Sequence, residues 1–458
     1  MNTLSNLLKT SNMKKLYIIM MLVMTGLMAE AQTSVWNGSR KLWTRGEGTE
    51  NSPYMIESAD HLAFLSYMVN TGFETKDLYF ELTTDIDLNG SEDQLWIPIG
   101  LGNNYFYEDG CERVPYSNGG PNNSFRGHFD GGNHKIYNLY IKDSSFGGLF
   151  GSAEEPCEIK NVSVESGYIQ NVVYGGGIVG QCKYNTLISN CTNGVDISGD
   201  YVGGILGQGS GKVSQCYNTG YLKGNLSAGG IAGMLAKEIT ECFNTGKVVA
   251  YSGGCGGIIG STTRDVTIEN CYNLGQIGGN AQNTGGIGGF VIKGTVKNCY
   301  NAGDIANSEG EAGGTIGSSN FIGTADNIYY LNTCGCEGIG EAMSDVEMRD
   351  EAFVAVLNKD TDVWGYDQSN VNDGYPLLES FHLSTSETMA ATMNVYPNPA
   401  KSNFIVEGKG LLTVTNLLGQ KVMETMIEKQ RIITLPEGLY LLRLTDGNVS
   451  ATRKVVVY

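Results

Sequence analysis

The central part of the chain repeats one pattern of apolar, glycine and polar positions. Each repeat joins a Gly-Gly-Ile-x-Gly string to a Cys-aromatic-Asn-x-Gly string, as in residues 203–207 followed by 216–220. The repeated cysteines are Cys191, Cys216, Cys242, Cys271 and Cys299, which stand 25, 26, 29 and 28 residues apart. A period in this range predicts a solenoid, and alternating segments between Gly and Asn turns predict strands. We therefore expect a right-handed parallel β-helix rather than a propeller, whose repeats are longer.

Two positions of each repeat are predicted to face the interior. The cysteine position is Leu139 and Val162 in the earliest repeats, and the position two residues later is Ile141 and Val164 there. In the later repeats this second position holds Asn193, Asn218, Asn244, Asn273 and Asn301. We expect the cysteines to act as small buried apolar groups and the asparagines to form an internal ladder of amides.

The position before the cysteine is predicted to form a corner of each coil. It holds Asn138, Asn161, Asn190, Gln215, Glu241, Asn270 and Asn298. Asparagine tolerates the left-handed backbone that such corners need. The Gly-Gly strings predict a close approach of backbones elsewhere in the coil.

The position after the cysteine is predicted to face solvent. It holds Tyr140, Ser163, Thr192, Tyr217, Phe243, Tyr272 and Tyr300. One interpretation is stacking between coils that stiffens the sheet. The other is a partner-binding face for sugar rings or a protein, formed by Tyr140, Tyr217, Phe243, Tyr272 and Tyr300.

The pattern divides the chain into six segments. They are a signal peptide (1–31), an N-terminal cap with the first coils (32–135), the repeat β-helix (136–324), a C-terminal cap (325–378), a polar linker (379–393) and a small Ig-like β-sandwich (394–458). Ser58 and Ser344 are predicted to begin cap helices that reach about Val69 and Leu357. Residues 79–88 alternate as one strand, and the last segment contains about seven strands.

Composition narrows the function classes. The chain has a net charge of −18 and an isoelectric point near 4.7, which disfavours nucleic acid and anionic membrane surfaces as partners. Its 11 cysteines would suggest disulfides in an exported protein. Stacked coils, however, hold equivalent side chains parallel rather than facing each other, so we expect thiols in the repeated column. The remaining cysteines, Cys111, Cys157, Cys182, Cys255, Cys334 and Cys336, are left without assigned partners.

The sequence offers little catalytic chemistry. It lacks the zinc-protease and serine-hydrolase motifs, and residues 207–212 only partly match a phosphate-binding loop. His128, Asp130 and His134 could meet a metal, and Asp85 with Asp87 could bind calcium, but turn roles account for them better. We therefore predict no catalytic residue, no metal site and no cofactor.

Residues 46–378 resemble the GLUG-motif repeat proteins of bacterial surfaces. The resemblance lies in the Gly-Gly-Ile-x-Gly strings, the Asn-Cys-Tyr-Asn-x-Gly strings, and residues 82–88, 96–100, 129–134 and 147–151. It implies a β-solenoid architecture. Such repeats accompany adhesins, proteases and many uncharacterised proteins, so the resemblance implies little about activity.

Residues 394–458 resemble the type A sorting domain of the type IX secretion system of Bacteroidota. The motif residues are Tyr396, Pro397, Asn398, Pro399, Gly419, Gly438, Tyr440 and Lys454. The resemblance implies recognition by the type IX machinery, transport across the outer membrane, and then removal of the domain with attachment to surface lipopolysaccharide or release. The signal peptide implies a preceding Sec step.

Together these observations predict an exported, non-enzymatic surface protein, an adhesin that binds an unidentified glycan or protein. One alternative is a β-helical polysaccharide lyase or glycosidase, which would need a groove with convergent carboxylates. A second alternative is a structural component of the cell surface.

Overall fold

The computed structural model describes residues 33–102, 105–108, 112–115, 123–307, 310–382, 394–396, 401–416, 421–436, 438–446 and 449–457. The predicted signal peptide and Cys111 lie outside these residues. The chain divides into two compact units between Leu378 and Glu379. Each unit has its own core and is described by itself.

The first unit is a parallel β-solenoid of about nine coils, as predicted. Its strands form three sheets, called here face 1, face 2 and face 3. Face 1 comprises Ser34–Val35, Tyr54–Ile56, Tyr79–Leu82, Ile86–Asp87, His128–Asp130, Lys135–Tyr137, Glu158–Lys160, Ser163–Val164, Leu187–Ser189, Thr192–Asn193, Lys212–Ser214, Tyr217–Asn218, Glu238–Thr240, Phe243–Asn244, Val266–Glu269, Tyr272–Asn273, Gly294–Asn301, Thr324–Leu331 and Glu341–Met343.

Faces 2 and 3 complete each coil. Face 2 comprises Leu139–Lys142, Phe146–Gly147, Gly167–Gly176, Asp196–Gly203, Leu222–Gly229, Val248–Ala250, Gly254–Gly256, Ile277–Gly279, Asn283–Gly285, Ile305–Asn307 and Glu311–Gly313. Face 3 comprises Phe150–Glu154, Val179–Lys183, Leu206–Gly209, Ala232–Met234, Ile259–Thr262 and Gly288–Val291. A separate antiparallel hairpin pairs Tyr105–Glu108 with Glu112–Pro115.

In most coils, face 1 bends at one residue in the left-handed conformation. Six successive corner residues have φ between +49° and +56°: Asn161, Asn190, Gln215, Glu241, Asn270 and Asn298. Asparagine adopts this conformation at lower cost than most side chains, and neighbouring coils repeat the same bend. The predicted corner is therefore confirmed at these six positions.

The interior of the solenoid is built from columns of equivalent side chains. Cys191, Cys216, Cys242, Cys271 and Cys299 are all fully buried. Their thiols donate to the carbonyl oxygen two residues earlier at 3.1–3.2 Å, as Cys216 does to Ser214. Burial raises the pKa of thiols such as Cys271 and Cys299, so they remain neutral and behave as small apolar groups.

The five asparagines form the predicted amide ladder. From Asn193 to Asn301, each Nδ2 donates to the Oδ1 of the next asparagine at 2.7–2.8 Å. Each Nδ2 also donates to the carbonyl oxygen two residues later, at 2.8–3.0 Å. The ladder thus satisfies polar groups that are almost completely buried.

The Gly-Gly strings bring faces 2 and 3 into backbone contact. A Cβ atom added to Gly207 would lie 2.8 Å from the backbone nitrogen of Gly175. A Cβ atom at Gly177 would lie 2.0 Å from Oδ1 of Asn193 in the ladder. Neither position leaves room for a side chain. The predicted close approach of backbones is therefore confirmed at the Gly-Gly strings.

The first coils differ from the alignment predicted from the sequence. Ile136 pairs with Val164, and Phe129 pairs with Ile159, whereas Leu139 pairs with Gly167 on face 2. The prediction that Leu139 and Ile141 share the cysteine and asparagine columns is therefore wrong. The cause is that Asn138 is also left-handed, with φ of +56°, but it lies between face 1 and face 2, so residues 138–141 imitate the pattern of a face 1 corner.

The N-terminal cap contains the helix Ala59–Asn70. Ser58 is its N-cap and accepts a hydrogen bond from the backbone of His61, and Leu62 and Leu65 are fully buried. This agrees with the predicted helix. The predicted strand over residues 79–88 is instead two strands, Tyr79–Leu82 and Ile86–Asp87, because the chain turns the face 1 corner between them.

The C-terminal cap begins with two short helices rather than the single predicted one. Ser344 begins Asp345–Met348 with a complete capping box, and Asp350 begins Glu351–Leu357. Two antiparallel strands, Trp364–Gly365 and Leu377–Leu378, finish this cap. The predicted polar linker starts with a further short helix, Glu379–His382, and the rest of it lies outside the described residues.

The second unit is the predicted sandwich, and its described residues form seven strands. One antiparallel sheet contains Asn394–Tyr396, Asn403–Glu407 and Gln430–Thr434. The other contains Lys421–Ile427, Gly410–Asn416, Gly438–Asp446 and Val449–Val457. One hydrophobic cluster joins the sheets, with Phe404 and Ile433 from the first and Leu412, Val414 and Leu442 from the second.

Candidate functional site

The sandwich carries the predicted sorting-motif residues. Gly438 and Tyr440 lie on the strand Gly438–Asp446, and Tyr440 packs into the hydrophobic cluster with its hydroxyl donating to the Pro436 carbonyl at 3.1 Å. The backbone of Lys454 pairs with Leu441 on that strand. Tyr396 ends the first strand, while Pro397, Asn398, Pro399 and Gly419 lie outside the described residues. Among these motif positions, Tyr440 thus contributes directly to the core of the sandwich.

The outer surface of face 1 carries a stack of aromatic rings. Tyr217, Phe243, Tyr272 and Tyr300 stack with centroid distances of 4.7, 4.8 and 5.1 Å and interplanar angles of 4–6°. Parallel in-register strands hold equivalent rings one coil apart, which produces this geometry directly. The stacking interpretation of the column is therefore confirmed for these four residues.

The C-terminal cap covers half of this stack. Tyr300 is fully buried and Tyr272 is 3% exposed, and both rings contact Trp364. The Tyr300 hydroxyl donates to the Pro376 carbonyl at 2.5 Å and accepts from Asn372 at 3.3 Å. Burial raises the pKa of both phenols. The prediction that Tyr272 and Tyr300 face solvent is therefore wrong, while Tyr217 and Phe243 are half-buried.

Tyr140 belongs to a different surface. It lies on face 2, pairs with Tyr168, and has its ring centroid 6.5 Å from that ring. On face 1, the residue in register before Ser163 is Lys135. The prediction that Tyr140 extends the aromatic column is wrong, so the five predicted residues do not form one continuous partner-binding face.

The N-terminal end of face 1 contains a cavity of about 350 Å³, called here the acidic cleft. Register places Tyr79, His128 and Glu158 in one outward row, and Glu81, Asp130 and Lys160 in the next. The Tyr79 and His128 rings stack at 4.2 Å with an angle of 6°. The polar and aromatic residues that define the cleft are Glu50, Tyr79, Glu81, His128, Asp130, Glu158 and Lys160.

Two carboxylates of the acidic cleft form hydrogen bonds or ion pairs with neighbouring residues. Glu158 lies 3.4 Å from Nδ1 of His128 and 3.6 Å from Nζ of Lys160. Asp130 accepts from the Gly132 amide at 2.9 Å and the Asn161 amide group at 2.8 Å. The cleft therefore offers carboxylate acceptors, a lysine donor and a flat ring surface to a polar ligand.

The other acidic and histidine candidates also have defined partners. His134 bonds to Asp85 at 3.0 Å, while Asp87 accepts from the Asn89 amide at 2.7 Å and the Asn138 side chain at 2.8 Å. His128, Asp130 and His134 thus each have different neighbours. Among the described residues, no group of three or more His, Cys, Asp or Glu side chains is placed to hold a metal ion.

The sequence analysis missed a second ring stack, on face 2. Phe146, Tyr174 and Tyr201 stack with centroid distances of 5.9 and 5.6 Å. Each ring stands in register immediately before the segment containing the Gly-Gly string of its coil. The recurrence of an aromatic residue at this position in three successive coils was the available signal.

The comparison with known families identifies the second unit. Residues 394–458 match the secretion system C-terminal sorting domain. This match indicates recognition by the type IX secretion machinery and export to the cell surface or the extracellular space. No helix within the described part of the chain is long and apolar enough to span a membrane.

The chain is similar to curated proteins of two organisms. It is 30% identical over 141 residues to a protein of Evansella cellulosilytica provisionally named a Gly-rich membrane protein, over 30% of this chain and 14% of that one. It is 30% identical over 168 residues to halomucin of Haloquadratum walsbyi, over 35% of this chain and 2% of that one. The chain thus spans a small part of the length of these relatives.

Two solved structures are also similar. A Bacteroides ovatus protein provisionally described as an immunoglobulin A1 protease gives a TM-score of 0.46 at 21% identity, over 74% of this chain and 95% of that one. An IgA1 protease structure gives a TM-score of 0.33 at 16% identity, over 62% of this chain and 22% of that one.

Proposed function

We propose that this chain is an exported, non-enzymatic binding protein whose solenoid holds a glycan or protein ligand at the cell surface or outside the cell. The observation that carries the proposal is the sorting domain at residues 394–458, which follows a solenoid that forms a compact unit of its own. In this proposal residues 1–31 direct a Sec step. Removal of the sorting domain then leaves the solenoid attached to lipopolysaccharide or released. The resemblance to GLUG-motif proteins of bacterial surfaces agrees with this location.

The acidic cleft is the proposed ligand contact. Its carboxylates accept hydrogen bonds from ligand hydroxyl or amino groups, and Lys160 donates to ligand oxygens. The paired rings of Tyr79 and His128 supply a flat surface beside these groups. Because Glu158 and Asp130 are held by their neighbours, the cleft needs little rearrangement on binding, which favours affinity.

The test is a binding screen of the chain without its signal peptide, residues 32–458 (called here the mature chain), against glycan arrays and host extracellular proteins. We expect saturable binding that leaves the ligand intact. Glu158→Gln and His128→Ala should weaken it by about tenfold each, the effect of one lost charge-assisted hydrogen bond or ring contact.

Glu238→Gln is the matched control for this screen. Glu238 lies on the same outward row of face 1 as Glu158, three coils further on, and pairs with Lys212 at 2.7 Å. It lies outside the cleft and should leave binding unchanged. Failure to bind any ligand would refute the proposed function, and equal effects of the Glu158 and Glu238 variants would refute the cleft as the site.

A second candidate function is a polysaccharide-active enzyme, favoured by the four carboxylates around one cavity: Glu50, Glu81, Asp130 and Glu158. Glycosidases use two such groups as acid and base or nucleophile. The engagement of Asp130 and Glu158 with their neighbours argues for a structural and binding role instead. Release of new reducing ends by the mature chain, abolished by Glu81→Gln or Glu158→Gln with binding retained, would establish the enzyme and overturn the first proposal.

A further inference from the structure

The ring stack of face 2 ends abruptly at Tyr201. In register, Phe146, Tyr174 and Tyr201 are followed by Ser227 and then Gly254. The next two coils therefore supply no ring at the position where the stack would continue. One face of the Tyr201 ring packs on Tyr174 at 5.6 Å, and its opposite face points towards these two coils.

A cavity of about 310 Å³ occupies this space, called here the face 2–3 cavity. Tyr201 closes its lower end, and Met234 and Phe290 on face 3 form the side and upper end. Leu226, which is 40% exposed, lies at the rim. The walls are thus apolar and partly aromatic, as in most small-molecule sites, and the volume suits a small ligand.

The polar groups of the face 2–3 cavity are hydroxyls. Ser227, Ser252, Ser261 and Thr263 line it, and its lining contains no Asp, Glu, Lys, Arg or His. The Ser227 and Ser261 hydroxyls lie 2.9 Å apart, and Ser227 also lies 3.0 Å from the Gly233 carbonyl. Because Ser227 is 1% exposed, this pair is fixed by the surrounding backbone before any ligand arrives.

We propose that the face 2–3 cavity binds one sugar ring of a neutral glycan, stacked on Tyr201. The negative face of an aromatic ring attracts the C–H groups on the face of a pyranose. Hydroxyl groups both donate and accept, which matches the hydroxyls at the edge of such a ring. A charged ligand would find no countercharge in this lining. The inference rests on the proposed function and names a ligand class and a second contact, separate from the acidic cleft.

The test uses the mature chain and methyl glycosides of glucose, galactose, mannose and N-acetylglucosamine, measured by saturation-transfer NMR and calorimetry. Ser252→Trp fills the cavity from its half-buried rim, and Phe290→Ala removes a wall. Each should weaken sugar binding by about tenfold or more. Tyr201→Phe keeps the ring and should bind as the natural chain does.

Tyr168→Ala is the matched control, since Tyr168 is a 40% exposed face 2 tyrosine outside the cavity. Thermal unfolding by circular dichroism checks that each variant folds, and the Ser252 variant is expected to fold because it removes no buried group. Sugar binding unchanged by Ser252→Trp would overturn the cavity assignment while leaving the proposed function intact. Cavity-dependent binding of N-acetyltryptophan amide without any sugar would overturn the ligand class. Binding of no ligand by any chain would refute both proposals.

Discussion

The amide ladder gives a prediction whose size follows from counted hydrogen bonds. Asn218 stands inside the ladder and makes four: its Nδ2 donates to Gly220 at 3.0 Å and Asn244 at 2.7 Å, and its Oδ1 accepts from Asn193 at 2.7 Å and Gly220 at 3.2 Å. The perturbation is Asn218→Val. Valine fits this column, because Val164 already occupies it beside Asn193.

Two terms set the cost of Asn218→Val. Four neutral hydrogen bonds contribute about 1 kcal/mol each, so roughly 4 kcal/mol is lost. In addition, Oδ1 of the fully buried Asn244 loses its bond to Asn218, and an unsatisfied buried acceptor costs about 1–3 kcal/mol.

Asn193→Val is the matched control at the end of the ladder. Asn193 makes three bonds, two with Val195 and one with Asn218. After this change Oδ1 of Asn218 still accepts from the Gly220 amide. Asn218→Val loses one hydrogen bond more and strands one acceptor, so we expect it to lower the free energy of unfolding by about 2–4 kcal/mol more than Asn193→Val does.

The assay is urea denaturation of the mature chain followed by far-ultraviolet circular dichroism. Repeat arrays can unfold in stages, so the comparison uses the midpoint of the solenoid transition, supported by native-state hydrogen exchange. The double variant Asn218→Val/Asn244→Val should cost less than the sum of the single changes, because it removes the stranded acceptor. Equal midpoints for Asn218→Val and Asn193→Val would refute the ladder as a source of cooperative stability.

Three further predictions concern export, alkaline pH and thiol chemistry. Deleting residues 394–458 should leave the protein in the periplasm, and continued surface display in a fractionation experiment would contradict this. Burial raises the pKa of the Tyr272 and Tyr300 phenols in the folded chain. Their contribution to the free energy of unfolding is therefore fully present below the unfolded pKa of about 10, and it is lost as the pH rises above that value. Tyr272→Phe should therefore flatten the alkaline limb of the urea midpoint against pH, and an unchanged limb would argue against it. A thiol reagent applied to the native chain should label the half-exposed Cys336 before fully buried Cys271, and equal rates by mass spectrometry would exclude the buried column.

Much of the solenoid could be predicted because the residues that specify each coil are close together in the chain and recur in every repeat. A left-handed residue before each column cysteine follows from the conformational tolerance of asparagine, and neighbouring coils then impose the same bend on Gln215 and Glu241. The asparagine ladder follows from one residue type recurring at an inward position. The strands and motif of residues 394–458 were equally evident, because short alternating segments and fixed turns specify a sandwich.

The errors arose where a similar local pattern stands at a different corner, or where distant segments cover the surface. Asn138 is left-handed like the face 1 corner residues, but it precedes a face 2 strand, so Leu139 and Tyr140 lie on face 2. Tyr272 and Tyr300 occupy outward positions of the repeat, but residues about 70–100 positions later in the chain fold over them. The periodicity of the repeat predicts whether a side chain points inward or outward. It carries no information about which later segment of the chain packs over the outward side chains.

The sequence by itself thus determined the repeat, its corners, its interior columns and the export of the protein through its sorting domain. Only the tertiary structure decided which outward rings stay accessible and where the cavities lie. The acidic cleft forms because Tyr79, His128 and Glu158 become neighbours across coils that lie 30–49 residues apart in the chain. The face 2–3 cavity forms because two coils carry Ser227 and Gly254 where earlier coils carry rings. Both cavities depend on residues that differ from one coil to the next. Only the stacking of the coils brings these residues, which are distant in the chain, next to each other.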